Sequence, residues 1–246
     1  KRRSQKSGVR TRQLPGVSPL VFSRFLLEKT AFLSLSDMGK ALPSYEEIPI
    51  ACRMDEAVQS EYKRSENALV RVLRSDRRVA QKILSAYLNL LTVYPDQPYD
   101  QKPILYPDSD VPIVEPENIG DADTLGEKEQ RTLEIVRAAI QNRERALIYT
   151  SWVRTDSQQK LKKLLTDEGY RTEILTDKIK TTNREEWVQK KLAAGIQVLI
   201  VNPSLVETGL DLNAFTTLVF FSMGYKLFTL RQASRRSWRI NQKAPA

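Results

Sequence analysis

The chain of 246 residues contains no histidine, which removes imidazole from its acid–base repertoire and argues against a zinc site. Its single cysteine, Cys52, cannot close an internal disulfide and fits a reducing compartment. No run approaches the ~18 uninterrupted apolar residues of a membrane span. The best candidate for a signal peptide, LVFSRFLLEK, is broken by Arg24 and Glu28. Together these absences predict a soluble intracellular protein with no membrane partner and no metal ligands of its own.

What is present is ordinary in bulk and unusual in charge. The 41% hydrophobic content is enough for a real core, arranged as one large domain or two small ones. A net charge of +9 points either to a polyanionic partner, nucleic acid being the commonest, or to a surface charged for solubility. The first twelve residues, KRRSQKSGVRTR, hold six bases and no acid, a solvated tail or a nucleic-acid contact.

Hydrophobic spacing divides the chain. Residues 1–30 read as a basic tail and linker, and residues 31–94 as a mainly helical region. Within the latter, Val58, Tyr62, Leu69, Val72 and Leu73 form one stripe, and Ala80, Ile83, Leu84, Tyr87 and Leu91 another. Two helices broken near Ser75–Asp76, with Asp55 as the first N-cap, are the economical reading. Residues 95–126 hold six of the twelve prolines and Lys102 as their lone base, so they are expected to form an extended acidic connector.

From residue 127 to 246 the pattern alternates. RALIYTS, YRTEILT, QVLIVNP and TTLVFFS read as buried strands, with helices between the first three and after the fourth. Thr155 with Gln158, and Thr182 with Glu185, have capping-box spacing, and Gly195 closes the helix REEWVQKKLAA. The fold class expected is α/β, an open parallel sheet flanked by helices, preceded by the helical region. In such sheets the working loops lie at the carboxyl ends of the strands. That singles out TSW, NPSLVETGLDL and a late basic segment, QASRRSWRIN. Gln232, Arg235, Arg236 and Arg239 in that segment fall on one stripe if it is helical, without a carboxylate to neutralise them. Arginine forks suit phosphate oxygens, so an anion site is expected there, the bland reading being a solvated basic helix.

QASRRSWRINQ resembles motif VI of superfamily 2 helicases and translocases, most closely the Swi/Snf-type branch. NPSLVETGLDL resembles their motif V, ALIYTSWVRTDSQQKLKKLL their motif IV, and ALPSYEEIPIACRMDEAVQSEY the junction ahead of the second lobe. The resemblance implies the second of two RecA-like lobes that clamp ATP and magnesium, both held mainly by the first lobe. It makes Arg236 and Arg239 the catalytic arginines that reach the γ-phosphate, and Gln232, Gly209 and Asp211 further nucleotide-site residues. Nucleic-acid contacts are expected from Thr150, Ser151 and Trp152, and from the basic loop of Lys178, Lys180 and Arg184. Trp187, at helical spacing with Val188 and Leu192, is expected in the core. Arg235, Trp238 and Asn241 depart from the branch pattern, which has an acid, a histidine and a glycine there, and Pro203 replaces a frequent threonine.

No G-x-x-x-x-G-K-[ST] sequence occurs, and the DEAV at Asp55–Val58 has no phosphate loop ahead of it. The chain is therefore expected to be the C-terminal half of an ATP-dependent DNA translocase, inactive as an ATPase without its N-terminal lobe. Its partners would be that lobe and duplex DNA, with RNA the alternative, and its place cytoplasmic or, in a prokaryote, the nucleoid. Two other readings stay open: another superfamily 2 motor, such as an RNA helicase or restriction-type subunit, and a degenerate lobe that binds nucleic acid without hydrolysis.

Overall fold

The computed structural model describes residues 18–31, 45–151, 157–206, 210–224 and 227–237, the side chains of 227 and 228 excepted. The chain divides into two compact units, Lys1–Ala41 and Leu42–Ala246. In the first, helix α1 (Pro19–Val21) runs on through a π turn, Phe22–Leu26, and a 3-10 turn, Leu27–Lys29, with Leu20 and Phe25 exposed.

The second unit begins its regular structure with α2 (Glu56–Ser75) and α3 (Arg77–Val93). The break falls where expected: Asp76 is extended, and its carboxylate accepts from the Arg78 and Val79 amides, starting a new helix. Asp55 stands at the N-cap of α2 without a side-chain bond. Val58, Leu69 and Val72 are buried as the stripe predicts. On α3 the buried face is rotated to Ile83, Leu90 and Val93, leaving Leu84 exposed.

The proline-rich segment is not the plain extended connector expected. Strands β1 (Ile104–Leu105) and β2 (Pro112–Val114) pair antiparallel, with Pro112 first in its strand, where its missing N–H does least harm. Ile104 and Val114 complete a core with Val58, Leu69, Ile83 and Tyr94. Polar staples fix the same segment. The Tyr94 hydroxyl donates to the Glu117 carbonyl at 2.8 Å, and buried Glu61 accepts from the Glu117 amide at 3.3 Å and from Arg64 and Ser65. Those hydrogen bonds hold the Glu61 carboxyl below its usual range against the opposing effect of burial.

The alternating segment forms α4 (Glu127–Gln141), β3 (Ala146–Tyr149), α5 (Ser157–Asp167), β4 (Thr172–Leu175), α6 (Arg184–Ala193), β5 (Val198–Val201), β6 (Thr217–Phe220) and α7 (Leu227–Ser234). The four strands are parallel in the order β4-β5-β3-β6, and β3 and β5 are paired in register from Ala146↔Val198 to Tyr149↔Val201. Period two assigns the faces. Leu147, Tyr149, Leu199 and Val201 pack with Val188 of α6 and Ala233 of α7. Ala146, Ile148, Val198 and Ile200 pack with Val136 of α4 and with Leu161 and Leu165 of α5. Each fully buried Leu or Ile stabilises by roughly 1.5–3 kcal/mol, so this double-sided core dominates the fold. Trp187 packs against it as expected.

Helices α4, α5 and α6 end the same way, with paired 6→1 and 5→2 backbone bonds: Glu144 to Ala139 and Arg143 to Ile140, Tyr170 to Leu165 and Gly169 to Thr166, Ile196 to Lys191 and Gly195 to Leu192. The left-handed residue is glycine in two cases, Gly169 and Gly195, and Arg143 (φ 62°) in the third. A side chain costs about 1–2 kcal/mol in that conformation. Arg143→Gly is therefore expected to raise stability by roughly 0.5–1 kcal/mol after the unfolded-state entropy of glycine is deducted, measured by urea denaturation.

Among the described residues no helix is long and apolar enough to cross a membrane.

Candidate functional site

The carboxyl ends of β3, β5 and β6 are laced by side chains. Past β3, the Thr150 amide extends the ladder to the Val201 carbonyl at 3.0 Å. Ser151 then bonds Ser222 twice: its amide donates to the Ser222 hydroxyl, and its own hydroxyl donates to the Ser222 carbonyl, both at 2.9 Å. Asn202, just past β5, donates to the Ser151 carbonyl at 3.0 Å. The Asn202 side-chain oxygen accepts from the Ser204 amide and hydroxyl, capping the 3-10 turn Pro203–Leu205. Pro203 sits at the first turn position, where its fixed φ suits it.

Thr150 is fully buried, and its hydroxyl accepts from the Gln158 amide at 2.7 Å. It braces β3 against α5 and presents no surface to a ligand. The capping box expected of Gln158 pairs it with Thr155, which, like Trp152, lies outside the described residues.

The motif V segment folds back on α6. Its Asp211 amide donates to Glu185 Oε2 at 3.1 Å, and the Asp211 carboxylate accepts from the Asn213 amide at 3.2 Å. That use of Glu185 replaces the capping box proposed with Thr182: the N-cap of α6 is Asn183, and it makes no side-chain cap. Arg184 is also engaged. Its guanidinium donates to the Ile179 carbonyl at 3.2 Å and the Leu205 carbonyl at 2.9 Å, tying the loop after β4 to the turn after β5. Lys178 and Lys180 of the same loop are exposed. They stand on the same carboxyl edge, two strands from β3. Gly209 lies outside the described residues.

The basic segment differs from the single helical stripe expected. Helix α7 begins earlier, at Leu227, and ends at Ser234, so Gln232 is helical while Arg235 and Arg236 occupy the turn beyond. The Ala233 carbonyl explains the stop. It accepts the Arg236 amide at 3.1 Å, a tight three-residue closure, and the Tyr149 hydroxyl at 3.0 Å. Tyr149 is the last residue of β3, fully buried, its ring stacked on Phe220 at 4.9 Å between centroids. Burial drives its phenol pKa far up, while the nearby Arg236 charge acts in the opposite sense. The Ser237 hydroxyl donates to the Leu212 carbonyl at 3.3 Å, so the turn carrying Arg236 is pinned to both the sheet edge and the Asp211 segment. Arg235 is exposed, and Ser234 and Arg235 neighbour the Tyr45 phenol, which donates to Glu47 at 2.7 Å. Arg239 lies outside the described residues.

Of the residues singled out from sequence, Ser151, Asp211 and Arg236 are fastened to the loops of this edge and Gln232 lies in α7; Tyr149, Asn202, Ser222 and Ser237, which hold the edge together, were not singled out. Asn202 had a local signal, an amide residue followed by proline at a strand end. The others bond across 71, 84 and 25 residues, and no local pattern announces them.

An open parallel sheet with its polar loops at the carboxyl edge and helices on both faces is the RecA-like class of fold. Residues 127–241 match the helicase conserved C-terminal domain. The C-terminal part of the Fun30 ATPase domain is similar in fold, with a TM-score of 0.62 at 13% identity over 83% of this chain and 84% of that one. The Sulfolobus solfataricus SWI2/SNF2 ATPase core domain gives 0.61 at 18% identity over 87% of this chain. The C-terminal domain of the Sulfolobus solfataricus SWI2/SNF2 ATPase gives 0.56 at 16%, covering 72% of each chain. The match spans only 40% of the length of the SWI2/SNF2 core domain. No curated protein matches the sequence.

Proposed function

We propose that this chain is the second RecA-like lobe of an ATP-driven duplex-DNA translocase of the Swi2/Snf2 kind, and that it does not hydrolyse ATP by itself. The observation that carries the reading is the turn at Arg236. It leaves α7 at the carboxyl edge of the sheet, held by Tyr149 from β3 and by Leu212 from the motif V segment.

In this reading the triphosphate and its magnesium sit on the first lobe. Among the described residues, no group of acids, cysteines or histidines is placed to hold a metal. Lobe closure brings Arg236 and Arg239 to the γ-phosphate, where fixed guanidinium charge offsets the negative charge that builds during transfer. Gln232, Gly209 and Asp211 are assigned to the same nucleotide site by their places in motifs VI and V. The loop after β3 is assigned to the DNA backbone through Trp152, with Ser151 fastening it to Ser222, and is joined there by the exposed Lys178 and Lys180. Arg184 and Thr150 shape those loops from within. Resemblance at motif VI, the helicase C-terminal match and the two SWI2/SNF2 structures together support this over an unrelated nucleotide-binding sheet.

Tyr149 gives the closest test. Tyr149→Phe keeps the stacked ring and deletes only the bond to Ala233. In the full-length motor it is expected to lower kcat for DNA-stimulated hydrolysis about three- to tenfold, about one hydrogen bond's worth of positioning, with KM for ATP unchanged. Added to Arg236→Ala it should cost nothing further, because it acts through that arginine. Full additivity would show that Tyr149 works by another route. An isolated chain with steady ATP turnover would refute the need for a first lobe.

A further inference from the structure

The elbow between α2 and α3 carries four arginines in eight residues: Arg71 and Arg74 in the last turns of α2, Arg77 and Arg78 opening α3. All four are exposed. None of their guanidinium groups enters an ion pair or hydrogen bond among the described residues. The one acid between them, Asp76, is committed through Oδ1 to the Arg78 and Val79 amides at 2.7 and 3.2 Å. Lys82, one turn on, shows the contrast, since it is paired with Asp108 at 2.7 Å.

Part of this charge suits the helices: Arg71 and Arg74 lie in the last turns of α2, at the negative end of its dipole, and Asp76 caps α3. Arg77 and Arg78 do not, since they stand in the first turn of α3, where the positive end of the dipole favours acids. Four guanidinium groups against the one carboxylate of Asp76 repel one another and leave the elbow strongly positive. Such an excess marks a surface shaped for something outside the molecule.

The surroundings say what kind of partner fits. The elbow itself, residues 71–78, exposes no large hydrophobic side chain; Leu84 further along α3, and Tyr106 and Val111 on the hairpin that Lys82 reaches at Asp108, lie beyond it. A protein interface would need an aromatic or aliphatic anchor at its centre, and residues 71–78 offer none. Single-stranded nucleic acid would need rings to stack its bases, and the only aromatic residue between Ile50 and Leu84, Tyr62, is partly buried in the α2–α3 core. Arginine forks without apolar anchors match the sugar–phosphate backbone of a duplex, read for charge and not for sequence. We propose that the α2–α3 elbow is a second duplex-DNA contact, made by residues other than the strand-tip loops and the arginines of motif VI.

The test is titration of a short fluorescent DNA duplex with this chain, followed by anisotropy between about 50 and 200 mM salt. Replacing Arg71, Arg74, Arg77 and Arg78 together by glutamine is expected to flatten the slope of log K against log salt by about 2–4, each lost phosphate contact contributing about 0.9. Affinity at the midpoint of that range should fall at least tenfold. The corresponding four lysine substitutions should keep most of the slope, and thermal melts of both variants should match the parent. An unchanged slope in the glutamine variant would overturn the proposal. So would loss of binding to poly-glutamate with duplex affinity unmoved, which would make the elbow a docking site for an acidic protein. If the elbow variant binds normally while Lys178→Gln with Lys180→Gln does not, the elbow proposal fails and the translocase reading stands. If the parent chain binds no duplex even at low salt, the translocase reading itself fails.

Discussion

Arg239→Ala and Arg236→Ala, each introduced into the full-length motor, are expected to cut DNA-stimulated ATP hydrolysis by about three orders of magnitude or more, the range spanned by arginine fingers elsewhere. Duplex affinity, read by anisotropy in the same buffer, should stay within twofold of the parent. The dissociation follows from placement. Arg236 hangs on a turn fixed to β3 and to the motif V segment, whereas the exposed bases Lys178 and Lys180 lie two strands away. Lysine at either position should not restore the rate, because a point charge lacks the planar fork. If hydrolysis and DNA binding fell together, these arginines would be holding DNA, and if neither changed they would be holding nothing that matters to the cycle.

The second large effect concerns stability. Lys160 and Glu129 meet at 2.9 Å with both side chains about 6% exposed, joining α5 to the first turn of α4. Glu129 Oε2 also accepts the Gly126 amide at 3.1 Å, closing the N-terminus of α4. Glu129→Ala strands a buried ammonium and opens that cap, so it should cost about 3–5 kcal/mol in urea denaturation. Glu129→Gln with Lys160→Met removes both charges, keeps volume and retains an amide oxygen for Gly126. It should come within about 1 kcal/mol of the parent, since a buried pair returns little beyond its own desolvation. Equal losses in the two variants would mean that the pair itself, and not the avoidance of an orphaned charge, stabilises the lobe.

The sheet was legible because parallel strands covered on both faces must be apolar throughout, and ALIY, VLIV and TLVF announce that without help from their neighbours. Asp76 was legible for the opposite reason, a polar residue whose bonds are entirely local. Three features were not. Gln232 to Arg239 has helical spacing, yet a phenol 84 residues upstream takes the Ala233 carbonyl and the chain turns out of α7. Glu185 sits three residues past Thr182, yet its carboxylate is claimed by the Asp211 amide, 26 residues downstream. The prolines of 95–126 rightly deny helix and central strand. The segment still becomes structured because Ile104 and Val114 are needed to finish a core that α2 and α3 alone leave open. Of the candidate site, then, the residue types and the edge they gather on could be read from order along the chain. Their fastening could not, since it depends on which distant groups arrive opposite one another.

The Ser151, Ser222 and Asn202 bonds have one more effect. Three loops that hang separately in a looser sheet are here riveted into a single end-plate, and Arg184 bolts a fourth to it. A pull on any one of them is passed to all, and the plate swings as a piece. On the function proposed above, any stroke would then be a rotation of the entire body about its tether, with the grip on the track and the grip on the fuel keeping fixed step.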